Sequence, residues 1–567
     1  MVCRAATMFL LTAILAAPAH AAQSIELMPG VGYEQTVEFT PHGAVALHVI
    51  TAPRPGDQNG LYRLAPVLAH GTVLGGGERV TQIEQDVSAE ATVAGINGDF
   101  AGARDGSPAG IVLTDGVLAH PPLGSRSSIG IDSAGTLHVD RVKFFGTWKG
   151  TGQRRPLNGV NTRPAPGQVV LFTPAYGAPV PAIPGAAEAI LQAFPAPSAN
   201  ADLAATVTAV GVNGGEPIPA GGAILQASGS LAAKLQAEAP AGTAVAMRAI
   251  LQPAWTGVTE ALGGGPVLVR NGKPVFRSLE DFTNDQVTAR DPRSAVGQLA
   301  NGRVILVAVD GRQPGYSVGL TAFELAQTLV RLGAVTAAGL EGGDSVTAAF
   351  DGRLLNRPSA ATGERPVREA LLVEYVGVYA PEPPLPLVTG EPGRTDEPLS
   401  YKLVRPSLVT AELVGPDGEA RVLEAGAQHD PGSYSFAASA LDAEGTWHWR
   451  VTATDDLKRT STIDRTFRYD TTLRAVTVPR VARGSATVGF TLSRPASVKL
   501  RIETRDGVVL RTLAAPNLQP GARMLRWDGR LALGTRAYAG TYVAHVFATS
   551  SVGVADVAVQ FSFSRSR

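Results

Sequence analysis

Apolar and polar positions fall into three kinds of pattern along the chain. The continuous apolar run is clearest in "RVILVAV", Arg303 to Val309, which reads as a strand covered on both faces. It stops at Asp310-Gly311-Arg312, followed by the turn-forming "QPGYSVG". Helical spacing follows at once: Thr321 and Glu324 make a Thr-x-x-Glu capping box, and Gly333 supplies a stop. Between them Leu325, Ala326, Leu329, Val330 and Leu332 recur at helical intervals. A second helix is predicted over Glu78 to Ala91, and short strands between turns over Gly177 to Pro253. Strict alternation appears only near the C-terminus. Trp447, Trp449, Val451 and Ala453 alternate with His448, Arg450 and Thr452, and Val498, Leu500 and Ile502 with Lys499, Arg501 and Glu503. Asp506-Gly507 reads as a hairpin turn.

Proline density in "YAPEPPLPLVTGEPGRTDEP", Tyr379 to Pro398, marks a semi-rigid linker. The patterns therefore predict an α+β domain, a mixed sheet with helices, over residues 22–380 and a linker over 381–398. Two all-β Ig-like sandwiches should follow at 399–475 and 476–567. The strand–loop–helix–strand run ending at Glu341 predicts two neighbouring parallel strands that deliver Asp310, Arg312 and Glu341 to one rim.

Length and composition narrow the class. A chain of 567 residues, 44% hydrophobic, holds several cores, and 49 basic against 49 acidic residues argues against a nucleic-acid partner. "MVCRAATMFLLTAILAAPAHA" has the basic, apolar and small-residue regions of a secretory signal peptide over residues 1–21, with cleavage expected after Ala21 and a secreted product. No other segment is long and apolar enough for a membrane span. The one cysteine, Cys3, lies in that leader, so the mature chain has no disulfide, cysteine nucleophile or cysteine-ligated zinc.

Chemistry concentrates where apolar runs end. Asn97-Gly98-Asp99, Gly263 to Gly265, Arg293, Asp310-Gly311-Arg312 with Ser317, and Glu341-Gly-Gly-Asp344-Ser345 all sit at such ends, as in a site built on loops over a rigid sheet. No histidine lies between His138 and His429. A Ser-His-Asp triad or HExxH zinc site is thereby excluded unless His42, His48, His70, His120 or His138 folds back. Carboxylates and guanidiniums are left. Paired carboxylates suit glycosidic cleavage, and the guanidinium fork suits a phosphate.

The motifs "INGDF", "GGGPVLVRNG", "PRSAVG", "VDGRQPGYSVGLTAFELA" and "GGDS" resemble, in order, those of the phosphodiester glycosidase family, from about Ile25 to Tyr379. That family includes the animal uncovering enzyme, which removes N-acetylglucosamine from a mannose-6-phosphate diester. The resemblance implies a hydrolase that frees a sugar from a sugar-1-phosphodiester of a glycan, exopolysaccharide or wall polymer. On it, Asp310 or Glu341 acts as base or cation stabiliser, and Arg293 and Arg312 hold the phosphate. Asp99 and Asn97 hold sugar hydroxyls or the water, and Ser317, Asp344 and Ser345 line the substrate site. Two departures stand out: Glu341 and Asp344 where the family commonly has Asp and Gly, and Asp291 before Pro292 where Asn or His is common. No cofactor is expected; a metal-dependent phosphodiesterase cutting P–O is an alternative, with Ca²⁺ or Mg²⁺ on the carboxylates. Another is an inactive polysaccharide-binding surface protein. The last ninety or so residues, with "DGVVLRTL", "RWDGR" and "AGTYVAHVFA", resemble the Ig-like domain of flagellar hook-capping proteins, which implies a spacer or a module for a wall or polysaccharide surface.

Overall fold

A computed structural model describes residues 23–56, 60–102, 105–383, 399–436, 441–505, 507–532 and 534–565. The expected leader, most of the linker and Asp506 of the expected hairpin lie outside them. Contacts divide the chain into two units, residues 1–88 with 93–375 and residues 89–92 with 376–567.

The first unit is not α+β. It is built from sheets of mainly antiparallel strands, and the four α-helices among the described residues span only seven, seven, five and ten residues. The helix expected over Glu78 to Ala91 shortens to Val80–Asp86. The physical reason lies in the punctuation. With 64 Gly and 41 Pro, few stretches run long enough for several helical turns, whereas antiparallel strands need only short connections. The Ala/Gly/Pro-rich region likewise holds strands, among them Asp202–Val212 and Ala244–Gln252, in a second eight-stranded sheet.

The sheet that carries most of the expected site residues has eight strands. Its middle runs Gly43–Ala52, Val304–Val309, Arg293–Leu299, Ala334–Gly339, Val267–Arg270. Val304–Val309 is buried at every position. Ile305, Val307 and Val309 join Leu325, Ala326 and Leu329 of the helix Ala322–Arg331 in one core, so that helix covers one face. The helix starts at the expected capping box: Thr321 Oγ1 accepts the Glu324 N–H, and the Glu324 carboxylate accepts the Thr321 N–H. Topology differs from expectation in one respect. Val304–Val309 and Ala334–Gly339 are not neighbours; Arg293–Leu299 lies between them, antiparallel to both. The two outer strands thus point the same way, and the residues after them share a rim with Arg293, which opens the middle strand.

In the second unit, residues 399–469 form a two-stranded and a four-stranded sheet, and residues 473–564 a three-stranded and a five-stranded sheet. The alternation is as expected: Trp447, Trp449, Val451 and Ala453 are buried, as are Val498, Leu500 and Ile502. Trp527 is fully buried, donates Nε1–H to the Arg530 carbonyl at 2.8 Å and packs against Phe563, which makes it a core anchor.

Candidate active site

Loops from two sheets meet at the rim. After strand Thr92–Asn97, the Gly98 carbonyl accepts the Glu341 N–H at 3.1 Å, and the Gly98 N–H donates to the Glu369 carbonyl at 2.9 Å. Asn97 locks this junction. Its Nδ2 donates to the Glu341 carbonyl at 2.8 Å, and its Oδ1 accepts from the Ser294 hydroxyl at 2.6 Å and the Thr347 N–H at 3.2 Å. Asn97 is buried and holds protein groups rather than an open pocket.

Asp310 is the hub of a second buried network. Its carboxylate meets His48 Nε2 at 3.0 Å, accepts the Tyr316 hydroxyl and Asn356 Nδ2 at 2.9 Å each, and accepts the Arg357 N–H. His48 Nδ1 in turn meets the Tyr33 hydroxyl at 2.8 Å. A distant histidine has indeed folded back, from the neighbouring strand, where His48 pairs with Ala308. Asp310 and His48 are each only 1% exposed, and every face of the acid is occupied by protein donors. Ser317 belongs to the same scaffold, its Oγ donating to the Asp310 carbonyl and accepting the Ala46 N–H.

Neither arginine expected at the phosphate presents an open fork. Arg293 donates Nε–H to the Leu320 carbonyl and its two terminal nitrogens to the Gln286 and Ala289 carbonyls, at 2.6–2.9 Å. It fastens the short helix Asn284–Thr288 to the start of Ala322–Arg331. Arg312 reaches solvent, but its fork closes on both oxygens of Asp291, at 2.8 and 3.2 Å, and its other nitrogen on Asp344 at 3.0 Å. Two of the three departing carboxylates, Asp291 and Asp344, therefore lie on this one guanidinium. Arg312 sits at φ +57°, the left-handed region that a non-glycine residue enters only when its surroundings hold it there.

Three carboxyls gather round the Asn97–Phe100 loop. Asp99 is 2% exposed, wedged between Gly110 and Gly263: a Cβ at Gly263 would stand 1.9 Å from Asp99 Oδ2, and one at Gly110 2.7 Å. Glycine is required at both positions by this approach. Burial pushes the Asp99 carboxyl up to about 6, against the Phe100 and Gly110 N–H groups and the Arg126 charge, and its Oδ1 has no partner. Glu369, fully buried, accepts the Asp99 N–H at 3.2 Å and leaves Oε2 unpartnered. Burial, then the Asp99 charge, drives the Glu369 carboxyl well above the usual range. Glu341 is less enclosed. Burial raises it, while a hydrogen bond from Ser345 and the charges of Arg365 and Arg368 pull the other way. Ser345 Oγ also accepts from Arg365 at 3.3 Å, so this buried hydroxyl bridges acid and base. Asp344 accepts from Ser359 as well as Arg312.

Among the described residues, the metal-like donor group is His70, Glu78 and Asp86, with ligand atoms within 4.8 Å of one another; none of these was an expected site residue. Sequence reasoning named His48 only as one of five histidines that could fold back, and it missed Asn356, Arg365, Arg368 and Glu369. The last three sit in "RPVRE", at the head of the strand Glu369–Tyr375, the same strand-end signal used elsewhere.

Residues 198–374 match the family model described as phosphodiester glycosidase. The chain carries a phosphodiester glycosidase domain. The matched segment holds Arg293 through Glu369, while Asn97 and Asp99 precede it; residues 477–551 match the FlgD Ig-like domain model. Both resemblances read from the motifs are thus borne out. An uncharacterized SPbeta prophage-derived protein of Bacillus subtilis is 31% identical over 119 residues, covering 21% of this chain and 18% of that one. A hypothetical protein from Synechocystis shares the fold with 25% identity and a TM-score of 0.52, over 63% of this chain and 64% of that one. The chain thus spans less than two thirds of either relative. The catalytic domain of zebrafish N-acetylglucosamine-1-phosphodiester alpha-N-acetylglucosaminidase is similar at 14% identity and a TM-score of 0.34, over 63% of this chain and 87% of that one. No helix among the described residues is long and apolar enough to cross a membrane.

Proposed function

We propose that this chain is an exported glycosidase that hydrolyses a sugar-1-phosphodiester, releasing the sugar and leaving a phosphomonoester. The glycosidase domain supports the reaction class, and the leader-like pattern of residues 1–21 supports export. The observation that carries the reading is the convergence of Asp99, Glu341 and Glu369 on one glycine-lined loop, with Asp99 Oδ1 unpartnered.

A phosphomonoester leaves readily, so the enzyme needs little acid help at its oxygen. The harder tasks are stabilising an oxocarbenium-like centre and activating water. Glu341, the least buried of the three carboxyls, takes the role of base or cation stabiliser. Asp99 holds a sugar hydroxyl or the water, and Glu369 positions Asp99 through its backbone N–H. Asp310, expected to share the chemistry, is reassigned to supporting the rim, because its oxygens already accept from the protein.

Full-length protein incubated with UDP-N-acetylglucosamine and other sugar-1-phosphodiesters should release free sugar. Glu341→Gln should lose roughly a hundredfold or more in turnover with an unchanged melting temperature. In ¹⁸O-water the label should enter the sugar. Label in the phosphate would mean P–O cleavage, and no sugar from any diester would sink the proposal. Glycan pull-down without turnover would instead point to a surface-binding protein, a role for which the Ig-like blocks would serve as spacer or docking module.

A further inference from the structure

The guanidiniums at the rim differ in what already occupies them. Around Arg312 there are two carboxylates, Asp291 and Asp344, against one guanidinium, and Asp291 occupies the fork in the two-pronged geometry a phosphate would take. An incoming phosphate there would have to displace Asp291 and face a net negative charge. Arg293 is equally committed, to three backbone carbonyls.

The two guanidiniums on the Glu341 side of the rim are less committed. Arg365 and Arg368 both act on the Glu341 carboxyl, whereas Asp99 and Glu369, the other acids on this side, are buried away from them. Among the described residues neither forms an ion pair, and the one hydrogen bond from an Arg365 terminal nitrogen goes to Ser345 Oγ. Arg365 is exposed and Arg368 half-buried, so both forks are open to a ligand. The Arg368 fork lies over the loop at Gly106, where a Cβ would stand 2.7 Å from one of its nitrogens, and the next residue, Glu369, contacts the Asp99 N–H. Arg368 thus stands beside Gly106 and next to Glu369 in the chain, and Arg365 at Ser345, whose hydroxyl bonds the Glu341 carboxyl.

We propose that Arg365 and Arg368, rather than Arg293 and Arg312, form the subsite for the substrate's phosphate. Asp291 and Asp344 keep Arg312 self-neutralised, and the anion is drawn to the side of the rim where Glu341 stands. This rests on the phosphodiester reading above, but the site itself is an oxyanion site and can be tested without turnover.

The probe is inorganic phosphate, titrated calorimetrically into the full chain and its variants, each checked for an unchanged melting temperature. Wild type should bind one phosphate. Arg365→Gln/Arg368→Gln should weaken binding by roughly tenfold or more, whereas Arg312→Gln should leave it within about twofold. Asp291→Asn/Asp344→Gly frees the Arg312 fork and should add a second phosphate per chain. Loss of binding in Arg312→Gln with none in the double arginine variant overturns the proposal, as does a wild type that binds no phosphate. If the binding map holds but no sugar is released from any diester, the subsite stands and the reaction is wrong. Sugar release with unaltered phosphate affinity in Arg365→Gln/Arg368→Gln would fault the subsite alone.

Discussion

Asp310 and Asp99 are both buried acids at strand ends, yet their oxygens have different surroundings. Asp310 is enclosed by His48, Tyr316, Asn356 and the Arg357 N–H, a closed network that ties three segments together. Asp99 keeps one oxygen free. Removing one partner of a buried, hydrogen-bonded charge typically costs about 3–5 kcal/mol, because the other is left without compensation. Asp310→Ala should therefore lower the unfolding free energy by about that amount in urea titrations, and any activity loss should follow the fraction unfolded. A variant that keeps its stability but loses turnover would return Asp310 to the chemistry. The sequence showed that an acid ends a buried strand, but not which way it faces. That is decided by His48, 262 positions away, and by Asn356 in a loop that carried no motif.

At the scale of elements, Arg293 ties together the short helix Asn284–Thr288, the chain at Leu320 and the strand it opens. A lysine keeps the charge but cannot reach three divergent carbonyls with a planar fork. Arg293→Lys should cost about 2–4 kcal/mol of stability, since hydrogen bonds to charged donors contribute roughly 1.5–3 kcal/mol each and some are regained through water. Thermal melts check this, and phosphate affinity should stay unchanged; unaltered stability with weaker phosphate binding would restore the ligand role. The elements nearest this arginine were the most legible: the capped helix and the all-buried strand both appear where the patterns placed them. Pairing order was not legible. Loop and helix between Val309 and Ala334 fit a direct parallel crossover, and nothing local shows that Arg293–Leu299 inserts between the two strands. Fold class failed for a related reason, since helical spacing over a few residues does not show whether Gly and Pro will cut the helix to two turns. The "RPVRE" segment was not singled out by any pattern, and with it two guanidiniums and a buried acid were missed.

Across the whole molecule, buried acids with raised protonation points collect in the first unit. Glu84, Asp99, Glu260 and Glu369 are all shifted upward by burial, Asp99 to about 6 and Glu260 to about 7. An acid whose folded value lies above its unfolded one binds its proton more tightly when folded. Its contribution to stability is complete below the unfolded value, 3.8 for Asp and 4.5 for Glu, and is lost as pH rises through the folded value. Asp132 and Glu324, held low against burial by hydrogen bonds from His138 and from Thr321 and Arg290, act the other way on the acid side of that window; His120, lowered by burial, acts the other way inside it, one group against four. The melting temperature of the first unit should therefore fall between about pH 4 and pH 8. Glu369→Gln removes one of these protons together with the negative charge beside Asp99, and the Gln amide can still accept the Asp99 N–H. Its melting temperature should match wild type near the acid end and exceed it increasingly toward neutrality, by several degrees if one to two kcal/mol is recovered, which is about the scale of one shifted proton. Calorimetry of both proteins across the range reads the difference directly and cancels whatever the second unit does. Parallel curves would mean that Glu369 titrates alike in the folded and unfolded chain, so that burial does not hold its proton beside Asp99.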